Sequence, residues 1–244
     1  MFFFKKSSPI LKDIIPVDYT DIHSHLIPGI DDGAKTDEET ILLITELKKI
    51  GFKNFITTPH VYATVWDNTS GIIKNKTTEV NLLLKKNEVS AIKSAAEYMM
   101  DEHFLSLIQN KDLLCLKENY VLVEMSYYNP PIQLYDIIFE LQLAGYKPIL
   151  AHPERYNFYH NNFEEFKKLK KQGCLLQLNL LSTVGYYGSN VSKIADQLLK
   201  NNMIDFVGSD VHHSKHAKNF DMNLVIKNSE SLKSAMKNNS FFTF

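Results

Sequence analysis

The chain has 244 residues, 44% of them apolar, and a formal net charge of −1. Such a composition supports a substantial core and argues against nucleic acid or an anionic membrane as the main partner. Cys115 and Cys174, the two cysteines, each lie in an apolar stretch and read as buried free thiols of a reducing compartment, not as a disulfide framework.

Met1-Phe2-Phe3-Phe4-Lys5-Lys6 places apolar residues before basic ones, the reverse of a secretory signal, and no apolar run approaches the length of a membrane span. A cytoplasmic protein is expected. The Phe2–Phe4 cluster is expected to fold back onto the domain, with contact to a membrane or partner as the alternative. Residues 1–18 form an N-terminal extension to a single domain, 19–244.

Val17 to His25 reads as a strand that runs into a Pro/Gly/Asp loop. Thr36-Asp37-Glu38-Glu39 reads as a capping box, with Glu39 reaching back. The helix after it buries Ile41, Ile44, Leu47 and Ile50 and stops at Gly51. A strand, Asn54–Thr58, ends in Pro59-His60. Helix and strand then alternate: helix Ile72–Lys86 with strand Ala91–Glu97, helix Glu102–Gln109 with strand Tyr120–Met125, helix Pro131–Ala144 with strand Pro148–His152. Helix Phe163–Gln172 precedes strand Cys174–Asn179, helix Val191–Asn201 precedes strand Ile204–Asp210, and a last helix covers Met222–Asn238. The Phe241–Phe244 tail has no assignment. The alternation indicates parallel βα units in one α/β domain. Seven strands, one short of the regular eight-fold barrel, predict an irregular seven-stranded (β/α) barrel, with an open doubly wound sheet as the alternative.

In α/β barrels the C-terminal strand ends share one rim, where active sites lie. Six of the expected strands deliver a histidine or acid there: His23 and His25, His60, Glu97, Glu124, His152, and finally Asp210 and His212. Only the strand ending at Asn179 does not. Asp21, His23 and His25 alternate along one strand and so share a face. As scattered interior residues these groups would each cost about 1–3 kcal/mol unpaired, whereas as ligands they account for one another. Oxygen and imidazole donors without thiolate suit manganese, zinc, iron or magnesium, and eight of them suit two or three ions with bridging carboxylates. Glu97 also reads as a loop cap. His103, His160, His213 and His216 have no such placement and are taken as surface or rim residues.

Water activated at such ions, to a pKa near ~7, is a nucleophile for hydrolysis, and the family resemblance of the motifs implies a phosphomonoester as its target. Arg155, the only arginine among 27 basic residues, stands three residues past His152 and would hold two phosphoryl oxygens with its planar fork; pairing with Glu154 is the alternative. Asp31 or Asp32 protonates the leaving oxygen, completes a metal shell, or serves the Asp-Asp-Gly turn. Tyr62, Trp66, Tyr127, Tyr128, Tyr186 and Tyr187 fall in loops after strands and are candidates for an aromatic mouth. Neither cysteine lies five residues before Arg155, which excludes a thiol-based tyrosine phosphatase. No Gly-x-x-x-x-Gly-Lys-Ser/Thr loop supports an NTPase, and no basic stripe supports a nuclease.

Asp-Ile-His-Ser-His, Thr-Pro-His60, Glu97, Glu124, His152-Pro-Glu-Arg-Tyr and Gly208-Ser-Asp-Val-His212 together resemble the polymerase and histidinol phosphatase (PHP) superfamily. Gly-Ile-Asp-Asp-Gly and His-Pro-Glu-Arg-Tyr resemble, more narrowly, its bacterial protein-tyrosine phosphatases of capsule and exopolysaccharide synthesis. The match runs from about Tyr19 to His212. The resemblance implies a metal-dependent (β/α)7 barrel, usually with manganese; iron, cobalt, zinc and magnesium are the alternatives. It also implies a substrate, the phosphotyrosine-rich tail of a membrane-associated bacterial tyrosine kinase. The chain departs from the pattern in its long N-terminal extension. It departs again after Asp-x-His, where many relatives carry an arginine and this chain reads His213-Ser214-Lys215-His216-Ala217-Lys218, so that a lysine would meet the phosphate as a point charge. A small-molecule phosphoesterase acting on a substrate like histidinol phosphate, and a non-catalytic metal-binding partner protein, are the competing readings.

Overall fold

The computed structural model describes residues 8–244, so the expectation for Phe2–Phe4 lies outside the described residues. The order is β1 (Tyr19–Asp21), α1 (Asp37–Lys49), β2 (Phe52–Thr57), β3 (His60–Val61), α2 (Ser70–Lys86), β4 (Lys93–Ser94) and β5 (Glu97–Met99). Next come α3 (Glu102–Gln109), β6 (Tyr120–Glu124), α4 (Leu134–Leu143), β7 (Lys147–Ala151), α5 (Phe163–Lys171) and β8 (Leu175–Asn179). The chain ends with α6 (Ser189–Lys200), β9 (Phe206–Gly208), α7 (Ser214–Lys218) and α8 (Ser229–Asn238). No helix among the described residues is long and apolar enough to cross a membrane.

The strands pair in parallel throughout, but as two sheets and not as one closed seven-stranded ladder: β1-β2-β4, and β3-β5-β6-β7-β8-β9. The expected strand Ala91–Glu97 is interrupted, and Asn54–Thr58 is followed past a break by a short segment that was not expected. Pro59, which has no N–H to give a ladder, separates β2 from β3, and Ala95-Ala96 separates β4 from β5. Hydrogen bonds from Ala95 N to Thr57 O (2.9 Å) and from Glu97 N to Pro59 O (3.1 Å) span the breaks. On the other side, the sheets meet past the end of β1, in the single parallel bridge Ser24–Val211 and the bond from Asp210 N to His23 O at 2.7 Å. The first strand is therefore shorter than Val17–His25.

The helices form where the apolar spacing placed them. Thr36 caps α1 by accepting from Glu39 N (3.3 Å), and Glu39 reaches back to Lys35 N at 2.7 Å. Leu43, Ile44 and Leu47 are buried, Ile41 and Ile50 only partly. The last helix is shorter than expected, because residues 222–228 run non-helically: Leu11 N donates to Met222 O (3.0 Å) and Leu224 N to Pro9 O (2.9 Å), which ties the extension to the domain. The unassigned tail forms a 3-10 turn, Asn239–Phe242. Asn239 is fully buried; its Nδ2 lies 2.9 Å from both Tyr19 Oη and Thr20 O and 2.6 Å from Val207 O, and its Oδ1 accepts from Val207 N at 3.2 Å. This staple joins β1 to β9 at the end away from the site. Phe242 packs with Ile22, Ile56, Leu122, Ile149 and Phe206 in a small core cluster; Leu122 precedes Glu124 by two residues and so shares its face of β6. The larger core lies between strands and helices.

Candidate metal centre

The eight expected ligands come together, six of them at or just past C-terminal strand ends and two, His60 and Glu97, at the starts of short strand segments. His23 and His25 follow β1, His60 opens β3, Glu97 opens β5, Glu124 ends β6, His152 follows β7, and Asp210 and His212 follow β9. Four overlapping groups have donor atoms within 4.8 Å of one another: His25-Asp32-His60-His212, His23-His25-Asp210, His23-Glu97-His152 and His60-Glu97-Glu124. Glu97 is fully buried and central, its Oε2 facing His23, His25 and His60 and its Oε1 facing His152.

Local backbone geometry aims these side chains. His152 and Asp210 have φ of 36° and 51°, left-handed values that turn the chain sharply after β7 and β9 and cost about 1–3 kcal/mol each. The second glycine of Gly-Ile-Asp-Asp-Gly has a packing reason. A Cβ on Gly33 would stand 2.3 Å from His25 O and 2.4 Å from its Cβ.

The donor set fits divalent ions. His23 Nε2 lies 3.4 Å from His25 Nε2, 3.1 Å from Glu97 Oε2 and 3.3 Å from Asp210 Oδ1. Shells with bonds of ~2.0–2.1 Å have donor spacings of ~3.0–3.4 Å. His25 Nδ1 is 2.8 Å from Asp31 Oδ2, so the ring's outward nitrogen is engaged and Nε2 faces the cluster. His60 Nδ1 stands 2.8 Å from Glu124 Oε1 yet out of hydrogen-bonding alignment, and His152 Nδ1 is buried with no hydrogen-bond partner among the described residues. Electrostatics agree. Burial opposes charge on Glu97 and Asp210, but imidazoles hold both carboxyls well below their usual range; burial likewise opposes charge on His25, and Asp31, Asp210 and Glu97 raise it well above its usual value. The cluster calls for positive charge, which cations can provide in place of protons.

The centre opens into a cavity of about 270 Å³ lined by Tyr62, Trp66, Met99, Tyr127, Tyr128 and Arg155. Trp66 stacks on His60 with centroids 4.7 Å apart. Arg155 Nη1 donates to Asp210 Oδ2 at 2.7 Å, and its guanidinium lies 4.8 Å from the Tyr127 ring centre and 4.2 Å from that of Tyr187. The expected alternative partner, Glu154, faces the other way. It accepts from Asn179 N (3.0 Å) and Ser182 Oγ (2.6 Å), and burial pushes its carboxyl up to about 7.

The profile described as "Capsular polysaccharide synthesis, CpsB/CapC" matches residues 19–232. The chain belongs to this CpsB/CapC family. It is 29% identical over 195 residues to CapC of Staphylococcus aureus, covering 79% of this chain and 76% of that protein. It is 28% identical over 202 residues to the tyrosine-protein phosphatase YwqE of Bacillus subtilis, covering 82% and 79%. Among crystal structures of YwqE from Bacillus subtilis and CpsB from Streptococcus pneumoniae, described as metal-dependent tyrosine phosphatases, one chain superposes with a TM-score of 0.77 at 26% identity, covering 92% of this chain and 88% of its own.

In this CpsB/CapC-family chain the two neighbouring aspartates part company. Asp31 is buried behind His25 and also accepts from Gly33 N (2.9 Å) and His60 N (3.2 Å). Asp32 is half exposed in the cavity, with Oδ1 3.4 Å from His60 Nε2 and 3.3 Å from His212 Nε2. Burial opposes its charge, but those two imidazoles hold its carboxyl far below the usual range. Of the remaining histidines, His103 and His213 are exposed and His160 partly so. His216 is buried, against expectation, because its ring packs edge-on to Tyr186 at 5.0 Å while Nδ1 accepts from His212 N. Tyr186 packs on Tyr187 and His216, whereas Tyr62, Trp66, Tyr127 and Tyr128 line the cavity over the centre. Beyond Arg155 the adjoining cavity is lined by His213 and His216, while Lys215 and Lys218 are exposed outside it.

Sequence reasoning passed over β8. Asn179 Nδ2 donates to Asp210 Oδ2 (2.7 Å), Gln177 lies 2.7 Å from His23 Nδ1, and Asp21 accepts from Ser209 N at 2.9 Å. The available signal was two amides, two residues apart, in the otherwise apolar run Leu175-Leu176-Gln177-Leu178-Asn179 of a buried parallel strand.

Proposed function

We propose that the protein is a metal-dependent phosphomonoesterase that removes phosphate from phosphotyrosine on the tail of a membrane-associated bacterial tyrosine kinase of capsule or exopolysaccharide synthesis. The observation that carries this reading is the nine-residue donor cluster, the eight expected residues with Asp32, at the floor of an aromatic cavity with Arg155 beside it. The domain is 19–244, and the location is cytoplasmic, where free Cys115 and Cys174 stay reduced. The nine strand segments are read as seven strands of an irregular (β/α) barrel; the bonds across the Pro59 and Ala95-Ala96 breaks and the Ser24–Val211 bridge support this.

Two or three ions, with manganese first, are assigned to His23, His25, His60, Glu97, Glu124, His152, Asp210 and His212, with Glu97 between them. When bound, such ions neutralise phosphoryl oxygens and supply a nucleophile active at neutral pH. Asp32, ionised between His60 and His212, joins the donor set, and Asp31 orients His25. Arg155 binds phosphoryl oxygens with the edge of its fork not given to Asp210 and tightens as charge spreads in the transition state. Trp66, Tyr62 and Tyr127 hold the tyrosine ring and keep water from it.

The test is turnover of a kinase-tail phosphotyrosine peptide, p-nitrophenyl phosphate and histidinol phosphate by metal-stripped and manganese-restored protein. The proposal expects manganese-dependent turnover with the peptide preferred. Preference for histidinol phosphate overturns the substrate, and no metal-stimulated turnover overturns the enzyme.

A further inference from the structure

β8 carries none of the eight donors, yet Gln177 on it reaches the centre. Its side chain is fully buried, with Oε1 2.7 Å from His23 Nδ1 and Nε2 2.6 Å from Leu178 O. The carbonyl of Leu178 can only accept, so the amide nitrogen must face it and the amide oxygen must face His23. His23 Nδ1 is then the donor, and the proton of the neutral ring is fixed there. Nε2 keeps a bare lone pair directed at the space shared with His25 Nε2 (3.4 Å), Glu97 Oε2 (3.1 Å) and Asp210 Oδ1 (3.3 Å).

Gly208 keeps this arrangement tight. A Cβ there would stand 2.5 Å from His23 Cβ and 2.7 Å from Gln177 Nε2, so the glycine of Gly-Ser-Asp-Val-His lets ring and amide meet.

We propose that Gln177 is a positioning residue that selects the ion-binding tautomer of His23 and sets the direction of its Nε2. It acts through His23 alone. The inference rests on the reading of the cluster as a metal centre. Partners at the distal nitrogen of a ligand histidine are commonly worth ~10–100-fold in metal affinity. Gln177→Met, close in volume, removes the acceptor; Gln177→Glu keeps an acceptor for Nδ1–H but loses the donor to Leu178 O. Both substitutions lower Tm, so stability cannot separate this role from simple packing, whereas affinity can.

The experiment uses the full chain, stripped of metal, and measures manganese binding by competition with a chromogenic chelator. It adds nitrogen-15 NMR of the His23 ring in the zinc-loaded, unsubstituted protein. The expected result is affinity ~10–100-fold weaker in Gln177→Met, near-natural affinity in Gln177→Glu, and the proton on Nδ1 by NMR. Equal affinity in Gln177→Met and the unsubstituted protein overturns the proposal, as does equal loss in both variants. A bare Nδ1 on His23 in the zinc-loaded protein overturns it even if no variant folds. Failure of the unsubstituted protein to bind manganese, zinc or iron overturns the metal centre and this inference together.

Discussion

Replacing Arg155 by lysine keeps one positive charge and removes the planar fork. In the structure the guanidinium is fixed before any substrate arrives, by Asp210 Oδ2 at 2.7 Å and by the rings of Tyr127 and Tyr187 at 4.8 and 4.2 Å. Lysine reproduces neither the ring stacking nor a second parallel donor. Loss of one preorganised donor to a transition-state oxygen costs about 10²–10³ in kcat, or ~2.7–4 kcal/mol. Asp210 should nevertheless stay in place, because Asn179 Nδ2 holds the same Oδ2 at 2.7 Å. Steady-state kinetics on a phosphotyrosine peptide, with elemental analysis of the same sample, should therefore give a large fall in kcat, a smaller rise in KM and full metal content. Near-natural kcat with full metal refutes the clamp. A low kcat with metal lost shows that Arg155 serves Asp210 and not the phosphate.

Asp32→Asn should weaken manganese binding and slow phosphotyrosine and p-nitrophenyl phosphate alike; a loss confined to phosphotyrosine, the poorer leaving group, would make Asp32 the proton donor instead. Chelation should abolish turnover and manganese restore it, whereas iodoacetamide should do little. Burial raises both thiols, Cys174 to about 12, so little thiolate exists at neutral pH, and inactivation at either cysteine would contradict this. Asn239→Leu takes the partner from Val207 N–H and one donor from Thr20 O, while Val207 O keeps the Tyr19 hydroxyl; the loss should cost about 2–3 kcal/mol and lower Tm by several degrees, and an unchanged Tm would remove the staple from the account.

Apolar spacing and chain punctuation made most elements legible, as at α1 between Thr36 and Gly51. The clustering of the histidines and acids was legible because a charged or imidazole side chain at the end of an apolar strand has few other uses. What failed was set by contacts distant in sequence. Residues 222–228 have helical composition but are held non-helical by Pro9 and Leu11. Glu97 opens its strand segment instead of following one, since pairing lapses at Ala95-Ala96. Glu154 was the obvious neighbour for Arg155, but the 3-10 turn Pro153–Arg155 sends adjacent side chains apart, one to Ser182 and the other to Asp210. Gln177 and Asn179 carry no charge pattern, and their partners lie 154 and 31 residues away.

The Asn239 staple bears on the order in which the molecule is completed. It joins residues 219 and 220 positions apart, and the Ser209–Asp21 bond spans 188. Contacts this remote in sequence form late and slow the final collapse. During synthesis His23 and His25 leave the ribosome early, but Asp210 follows almost two hundred residues later and Asn239 about thirty residues after that. A nascent chain therefore holds its two histidines long before the acids that face them, and the full donor cluster exists only in the closed fold.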